Sequence, residues 1–205
     1  MSDSKNMPKK AGRRALSNEA IRGGRERIAA AARRLFAENG VQAVSIRNLA
    51  SETGMSPMSF YRYFADRRAV LIQIWHDIFD SVFTMCHQAA QHWVEPEAAL
   101  RAYCQVFVRY WIERPDDYMM VFCERDLPSG GETFFANSKI VQSELIWMQS
   151  QLELVCIGDP RAELQQLVSS MIGICHVHVT MPELGWPTPE AMADRLLDTI
   201  CTASK

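Results

Sequence analysis

Residues 46–65 read IRNLASETGMSPMSFYRYFA, and this stretch decides the fold. Two helices joined by a three-residue turn need a small residue where they cross and a glycine where the backbone reverses. Ala50 and Gly54 supply both, four residues apart. The apolar faces that lock the second helix onto the first come from Leu49, Met55, Phe60 and Phe64. The spacing predicts a helix-turn-helix, although Ala-x-x-x-Gly also occurs by chance in helical hairpins.

The second helix of this unit has one apolar side and one outward side. Phe60 and Phe64 are four residues apart, about 40° on a helical wheel, and point inward. Three side chains then point outward and two tyrosines lie on the flanks: Met58, Ser59, Arg62, Tyr61 and Tyr63. A major groove accepts such a helix, whose outer face reads base edges while flanking hydroxyls reach phosphates. The alternative is an aromatic core cluster, which we accept for Phe60 and Phe64.

The residues around this unit show helical periodicity and helix caps. The first helix starts near Asn18 or Arg25, since Gly23–Gly24 weakens its start, and its apolar residues recur at i, i+3, i+4, i+7 and i+8 up to Asn39. Ser45, Ser56 and Asp66 are suited to cap the next three helices. Further helices are predicted over 98–113, 117–123, 134–156, 160–180 and 189–203. We therefore expect an all-α fold with about nine helices.

The composition is that of an ordinary globular protein. The 205 residues are 48% apolar and 22% charged, which fits one moderate domain or two small ones and excludes a wholly disordered chain. No apolar run approaches the ~20 residues that a membrane helix needs, and the start MSDSKNMPKK has no signal-peptide core. The cysteines are scattered and include no C-x-x-C pair: Cys86, Cys104, Cys123, Cys156, Cys175 and Cys201. We expect reduced thiols in a cytoplasm.

Charge is distributed unevenly along the chain. Residues 1–68 hold 14 of the 22 Lys and Arg but 6 of the 24 Asp and Glu, a net charge of +8, while the rest carries −10. A basic first third suits a polyanion, because each phosphate neutralised by Lys or Arg releases counterions. A solvated charged surface with a basic tail is the alternative. Residues 1–18 are predicted to be a disordered arm that contacts DNA or only solubilises the chain.

The stretch RERIAAAARRLFAENGVQAVSIRNLASETGMSPMSFYRYFADRRAVL, residues 25–71, resembles the N-terminal DNA-binding domain of the TetR family of transcriptional regulators. By that resemblance, one set of residues falls where family members touch the DNA backbone: Ser45, Arg47, Ser56, Tyr61, Tyr63 and Arg67. A second set falls where bases are contacted: Pro57, Met58, Ser59 and Arg62. Many members have Lys–Gly in place of Pro57–Met58, which changes the bases read, and Lys in place of Arg67, which keeps the charge.

The family resemblance implies a C-terminal helical domain that dimerises and binds an effector. The last two helices agree with this, because apolar residues follow a 4, 3, 4, 3 spacing that suits packing against a partner helix. The predicted dimer interface comprises Leu164, Val168, Met171, Cys175 and His178, with Met192, Leu196 and Ile200. A four-helix interface with two-fold symmetry would result. The alternative is that these stripes are buried inside one chain.

Aromatic and methionine side chains are concentrated in the middle helices. Such large, adaptable side chains line apolar cavities as well as cores. The predicted ligand pocket comprises Trp75, Phe79, Phe83, Phe107, Tyr110, Trp111, Met120, Trp147, Met148 and His176. The polar candidates for orienting a ligand are His76, Tyr110, Glu124 and His176, each more often a surface or core residue than a ligand contact.

The sequence shows no signature of an enzyme. It contains no G-x-S-x-G, P-loop, G-x-G-x-x-G or H-E-x-x-H. His176 and His178 are two residues apart and diverge by about 200° on a helix, so they cannot share a metal. Neither catalysis, a metal nor a cofactor is expected.

These observations predict a cytoplasmic, homodimeric regulator, most simply a repressor that a small, mostly hydrophobic ligand releases from a palindromic operator in double-stranded DNA. The expected divisions are a basic arm over 1–18, a DNA-binding domain over 19–66 and an effector and dimerisation domain over 67–205. A ligand-independent architectural or division-linked DNA-binding protein is the alternative.

Overall fold

The protein is described by a computed structural model over residues 17–123, 134–156 and 158–202. These residues are mostly helical and include no strand, which confirms the all-α prediction. Ten α-helices follow one another: α1 (Asn18–Asn39), α2 (Ile46–Glu52), α3 (Pro57–Phe60), α4 (Arg67–Ala90), α5 (Pro96–Glu113), α6 (Pro115–Tyr118), α7 (Phe134–Asn137), α8 (Lys139–Val155), α9 (Pro160–Thr180) and α10 (Pro189–Thr202). Most of the predicted basic arm, residues 1–16, lies outside the described residues.

Two details of the helix pattern differ from the prediction of about nine helices. The predicted helix over 134–156 is interrupted at Ser138, a buried residue between α7 and α8. The predicted helix over 117–123 is α6 followed by a π-helix, Met119–Cys123. None of the helices in the described ranges combines the length and apolarity needed to cross a membrane.

Side-chain caps fix the starts of the first four helices. The hydroxyls of Ser17, Ser45 and Ser56 accept hydrogen bonds from backbone amides in the first turns of α1, α2 and α3. The Asp66 carboxylate does the same for α4, accepting from the Ala69 amide at 2.7 Å. Each cap satisfies an amide that would otherwise lack a partner, typically worth about 1 kcal/mol. The predicted caps Ser45, Ser56 and Asp66 are confirmed.

The first three helices form a small head around an apolar centre. Leu49 and Phe60 are fully buried and Phe64 is nearly so. Ala50 is buried on α2, and Gly54 follows with φ of 65°, a left-handed conformation that glycine adopts without strain. The chain thereby reverses between α2 and α3 as the helix-turn-helix spacing predicts.

A close contact explains the glycine pair in α1. The helix begins at Asn18 and runs through Gly23 and Gly24, so the earlier of the two predicted starts is right. The Tyr63 ring lies against Gly24, where an added Cβ would stand 2.1 Å from the ring carbon Cε1. The Arg25 Nε also donates to the Tyr63 carbonyl at 3.1 Å. Both contacts hold the end of the α3 segment against α1.

Helix α4 connects this head to the larger C-terminal body. It packs against α1 in the head and against α5 and α8 in the body. One face is buried along its length: Val70, Leu71, Ile74, Trp75, Ile78, Phe79, Val82, Phe83, Cys86 and Ala90. The buried residues of head and body form one continuous apolar core.

The last two helices pack inside the chain. Leu164, Met171, Cys175 and Ile200 are at most 9% exposed, because α9 and α10 pack on each other and on α5. These four side chains are covered within the chain, and their contact with a partner chain stays a prediction. A 3–4 spacing identifies a buried face but not the surface that covers it. Val168, His178, Met192 and Leu196 are half-buried.

A charged cluster joins α10 to α5. The Arg101 guanidinium donates to Asp198 at 2.7 Å, to Glu97 at 3.0 Å and to Asp194 at 3.2 Å. Gln105 adds a hydrogen bond to Asp194 at 2.8 Å. The charge-assisted bonds from this partly buried arginine to the two α10 carboxylates, Asp194 and Asp198, fix the register of α10 on α5.

The glycine pair in α1 provides a matched test of head packing. Gly24→Ala forces the Tyr63 ring to move and should lower the free energy of unfolding by about 1–3 kcal/mol, in the range of overpacked sites. Gly23→Ala is the control, because an added Cβ there meets nothing within 4 Å. It should stabilise the helix by about 0.5–1 kcal/mol. Urea unfolding of both variants measures the difference, and equal stabilities would contradict the Tyr63 contact.

Candidate functional site

The outward face of the head carries most of the predicted DNA contacts. Six of the ten residues are exposed: Arg47, Ser56, Pro57, Met58, Tyr61 and Arg62. Met58 and Tyr61 are 70% and 55% exposed, so both side chains are accessible to a binding partner. Within the described part of the chain, the side chains of Arg47 and Arg62 make no hydrogen bond or ion pair. The surface around α3 thus carries two guanidinium groups without a partner among the described residues, Arg47 and Arg62, and the apolar side chain of Met58.

The two cap serines are placed for a second role. Ser45 accepts from the Asn48 amide at 3.2 Å and Ser56 accepts from the Ser59 amide at 3.1 Å. Ser56 and Ser59 also share a hydrogen bond of 3.0 Å between their hydroxyls. A hydroxyl has one donor and two acceptor positions. Each cap can therefore hold its helix and still hydrogen-bond to another group.

Tyr63 and Arg67 are half-buried, as is Ser45, whereas the predicted backbone contacts Arg47, Ser56 and Tyr61 are exposed. Tyr63 packs on Gly24, as described above. An Arg67 Nη2 donates to the Val41 carbonyl at 2.9 Å and so ties the start of α4 to the α1–α2 connection. Sequence reasoning treated Arg67 as a phosphate clamp and missed this internal bond, because Val41 lies 26 residues away. Its DNA role stays a prediction.

The body contains an apolar cavity of about 90 Å³ among α4, α5, α8, α9 and the π-helix. Four of the predicted pocket residues line it: Phe79, Phe83, Phe107 and Met148. The wall also includes Tyr103, Phe122, Phe135, Val141, Glu144, Leu145, Val168, Met171 and Ile172. Val168 and Met171, which were assigned to the dimer interface, thus face this cavity.

The other predicted pocket residues lie outside the cavity wall that the described residues form: Trp75, Tyr110, Trp111, Met120, Trp147 and His176. They pack against other aromatic rings instead. Trp111 meets Phe79 and Phe122 edge-on, with centroids 5.8 and 5.1 Å apart. Trp147 stacks on Tyr103 at 4.8 Å. The assignment of these six residues to a ligand pocket stays a prediction, because composition does not distinguish a ring that packs on rings from one that borders a void.

The predicted polar anchors have other partners. His76 is exposed beside the Phe134 ring, and the Tyr110 ring lies 4.4 Å below the Arg114 guanidinium. His176 is exposed, with Nδ1 3.3 Å from the Tyr118 hydroxyl. Glu124 lies outside the described residues.

The polar group in the cavity wall is one that sequence reasoning missed. Glu144 is 8% exposed, and its Oε2 accepts from the Tyr103 hydroxyl at 3.1 Å and lies 2.7 Å from His87 Nε2. Burial is the main reason that the pKa of the Tyr103 hydroxyl is raised, so the phenol keeps its proton and donates. A signal was present in the sequence: Glu144 stands on the apolar stripe of α8, four residues before Met148 and eight before Leu152.

A second contact between head and body accompanies α4. Arg33 of α1 lies 3.6 Å from Asp117 of α6, and α6 leads directly into the π-helix that places Phe122 in the cavity wall. Burial raises the pKa of Asp117, an effect that Arg33 and Arg114 oppose. The cavity is thus linked to the head through α4 and through α6.

Comparison with known proteins agrees with this architecture. Residues 28–74 match the family described as bacterial regulatory proteins, tetR family. The uncharacterized HTH-type transcriptional regulator YuxN of Bacillus subtilis (strain 168) is 26% identical over 169 residues, 82% of this chain. The chain spans 58% of the length of that relative.

Solved structures share the fold. The transcriptional regulator FadR from Bacillus subtilis, solved in complex with stearoyl-CoA, is 14% identical, with a TM-score of 0.69 over 88% of this chain and 99% of that one. A TetR family transcription regulator from Marinobacter aquaeolei VT8 is 15% identical, with a TM-score of 0.64 over 90% and 98%. On these findings residues 28–74 match the tetR family of bacterial regulatory proteins, and the chain shares its fold with solved TetR family regulators.

Proposed function

We propose that the protein is a cytoplasmic transcriptional repressor without enzymatic activity or cofactor, released from its operator by a small, mostly hydrophobic ligand. The observation that carries this proposal is the course of α4. Helix α4 begins in the head, where Arg67 is bonded to Val41 and the outward face carries Arg47 and Arg62 without a described partner. It continues to Phe79 and Phe83 in the wall of the apolar cavity. Helix α4 therefore connects the cavity, where a ligand would bind, directly to the surface that would contact DNA.

In this proposal α3 enters the major groove. Pro57, Met58, Ser59 and Arg62 contact base edges, with Arg62 suited to a guanine and Met58 to a thymine methyl. The DNA backbone is held by Ser45, Arg47, Ser56, Tyr61, Tyr63 and Arg67. The division follows the family resemblance of residues 25–71, with base contacts from the helix in the groove and phosphate contacts from the residues around it.

The proposed domain division places the DNA-binding domain at 19–66 and the effector and dimerisation domain at 67–205, behind a basic arm at 1–18. The boundary falls at the Asp66 cap, where α4 begins. Because the cores of head and body are continuous through α4, the two domains are proposed to act as coupled units rather than as independent ones.

We propose that the active form is a homodimer. Two heads would present recognition helices about 34–36 Å apart to successive major grooves of a palindrome-like operator. With Leu164, Met171 and Cys175 buried, the surface left for a second chain is the opposite side of α9, where Ser169, Gly173 and His176 are exposed. Small residues on that side allow close approach of a second helix. An isologous interface of this kind gives the two-fold symmetry that a palindrome requires.

Ligand binding is proposed to shift the position of α4. A ligand changes the equilibrium between two conformations only if it binds them with different affinities. A molecule that displaces Phe79 and Phe83 would favour a conformation in which the heads no longer match the groove spacing. The stearoyl-CoA complex of FadR supports a ligand with a long apolar part in this fold. The second candidate is a ligand-independent architectural or division-linked DNA-binding protein, which the small size of the cavity favours.

Fluorescence anisotropy tests the proposed function. The purified protein is titrated onto its own upstream DNA and onto a scrambled duplex at two salt concentrations. We expect tight, selective binding with two chains per duplex and a steep salt dependence, because several phosphates are neutralised. Equal, weak binding to both duplexes would contradict an operator-reading function at this site.

Substitutions on α3 separate base from phosphate contacts. Arg62→Ala should reduce discrimination at one base pair by about 1–3 kcal/mol and leave binding to scrambled DNA less affected. Tyr61→Phe should weaken binding to the operator and its single-base variants alike. Competition titrations with single-base operator variants measure both effects. Equal loss of specific and non-specific binding in Arg62→Ala would show that Arg62 does not contact a base.

A further inference from the structure

Glu144 borders two spaces at once. It lies in the wall of the apolar cavity, and it also lines an open surface groove between α4 and α8 with Asp80, Phe83 and His87. Phe83 is the other side chain that lines both the cavity and the groove. The carboxylate therefore stands between the apolar cavity and the open groove.

The hydrogen bonds of Glu144 leave one oxygen unused. His87 and Tyr103 both engage Oε2. Among the described residues, none donates a hydrogen bond to Oε1. A carboxylate can accept about four hydrogen bonds, and Oε1 is not among the buried side-chain atoms that lack a partner, so it is open to a donor from the groove side. A donor on a bound molecule would fill the remaining position.

The charges around the groove select against anions. The groove lining includes two carboxylates, Asp80 and Glu144, and one imidazole, His87. Among the described residues that line it, no lysine or arginine is present. A ligand carboxylate at this position would face negative charge without a fixed cation to pair with.

We propose that the body binds an uncharged or cationic apolar molecule that ends in a hydrogen-bond donor, such as a phenol, alcohol or amine, with the donor on Glu144 Oε1. This inference rests on the proposed function, since it assigns the ligand class of the proposed effector cavity. The apolar part lies among Phe79, Phe107 and Phe122, where aromatic edges and faces suit a ring. His87 and Tyr103 are positioning residues that hold the carboxylate.

The volume of the cavity limits the first ligands to test. About 90 Å³ is less than the roughly 150 Å³ of an engineered cavity that holds benzene, so a ring requires some side chains to move. Met148 and Met171 lie in the wall, and methionine repacks easily. A single substituted ring is therefore a suitable probe.

Three probes of nearly equal shape test the assignment: 4-ethylphenol, 4-ethylanisole and 4-ethylbenzoate. Calorimetric titration of the full chain gives the dissociation constant for each. We expect 4-ethylphenol to bind at least about 10-fold more tightly than the anisole, which has no donor, and the benzoate to bind most weakly. Equal binding of the three, tighter binding of the benzoate, or no binding of any would overturn the proposal.

Two variants separate a ligand contact from a purely structural ion pair. Glu144→Gln keeps the shape but removes the charge, and its amide can donate to a carboxylate. The preference for the phenol should fall and the benzoate should bind at least about 10-fold more tightly than to the wild type. Glu153→Gln is the control, because it makes the same change at an exposed position of α8 that lines neither the cavity nor the groove, and it should keep the order of the three probes. An unchanged order in folded Glu144→Gln would overturn the proposal, and the wild-type series decides it if that variant does not fold.

Anisotropy without probe, on the same preparations, keeps the two proposals distinct. If the protein binds its operator selectively but the affinities of the three probes do not follow the expected order, only the ligand assignment is overturned. If the probe affinities follow the expected order but the protein does not bind its operator selectively, the regulatory function is overturned. The cavity then remains a site that selects ligands with a hydrogen-bond donor.

Discussion

The buried face of α4 packs in the head at one end and lines the cavity at the other, so one rigid element must fit both. At its start, Asp66 caps the helix and Arg67 is bonded to the Val41 carbonyl of the head. Farther along, Phe79 and Phe83 meet the cavity. Protein interiors are packed as densely as organic crystals. A displacement of these rings that Met148 and Met171 do not absorb by repacking is transmitted to α4 or its neighbours.

The small volume of the cavity determines which conformation a ligand would favour. Sites for drug-sized ligands usually measure about 300–1,000 Å³, whereas this one measures about 90 Å³. A drug-sized ligand therefore requires an expanded conformation of the cavity wall. The contact between Arg33 and Asp117 gives the head a second connection to the same wall, because α6 continues into the π-helix that carries Phe122. A ligand that binds the expanded state preferentially would act on the head through both connections.

The sequence predicted those features that depend on neighbouring residues. The caps at Ser45, Ser56 and Asp66, the reversal at Gly54 and the buried faces of Phe60 and Phe64 all follow from spacing within one or two helical turns. Features that depend on distant residues were missed. The Tyr63 ring on Gly24 and the Arg67 bond to Val41 join residues more than 25 positions apart.

The body shows the same limit more clearly. The stripe on α9 was recognised as a buried face, but its spacing did not show that α10 and α5 of the same chain cover it. The aromatic residues were recognised as cavity candidates, but rings such as Trp111 pack on other rings. Glu144 was overlooked because a single carboxylate on an apolar stripe is significant only when its partners His87 and Tyr103, 57 and 41 residues away, are known.

Hydrogen exchange of the full-length protein tests most directly whether α4 couples the cavity to the head. Backbone amide exchange is compared with and without the tightest-binding of the three ring probes at saturation. The coupling predicts slower exchange around Phe79 and Phe83 together with altered exchange over residues 56–64, which the probe does not touch. Changes confined to α8 and α9 around the cavity, with residues 56–64 unaltered, would contradict it.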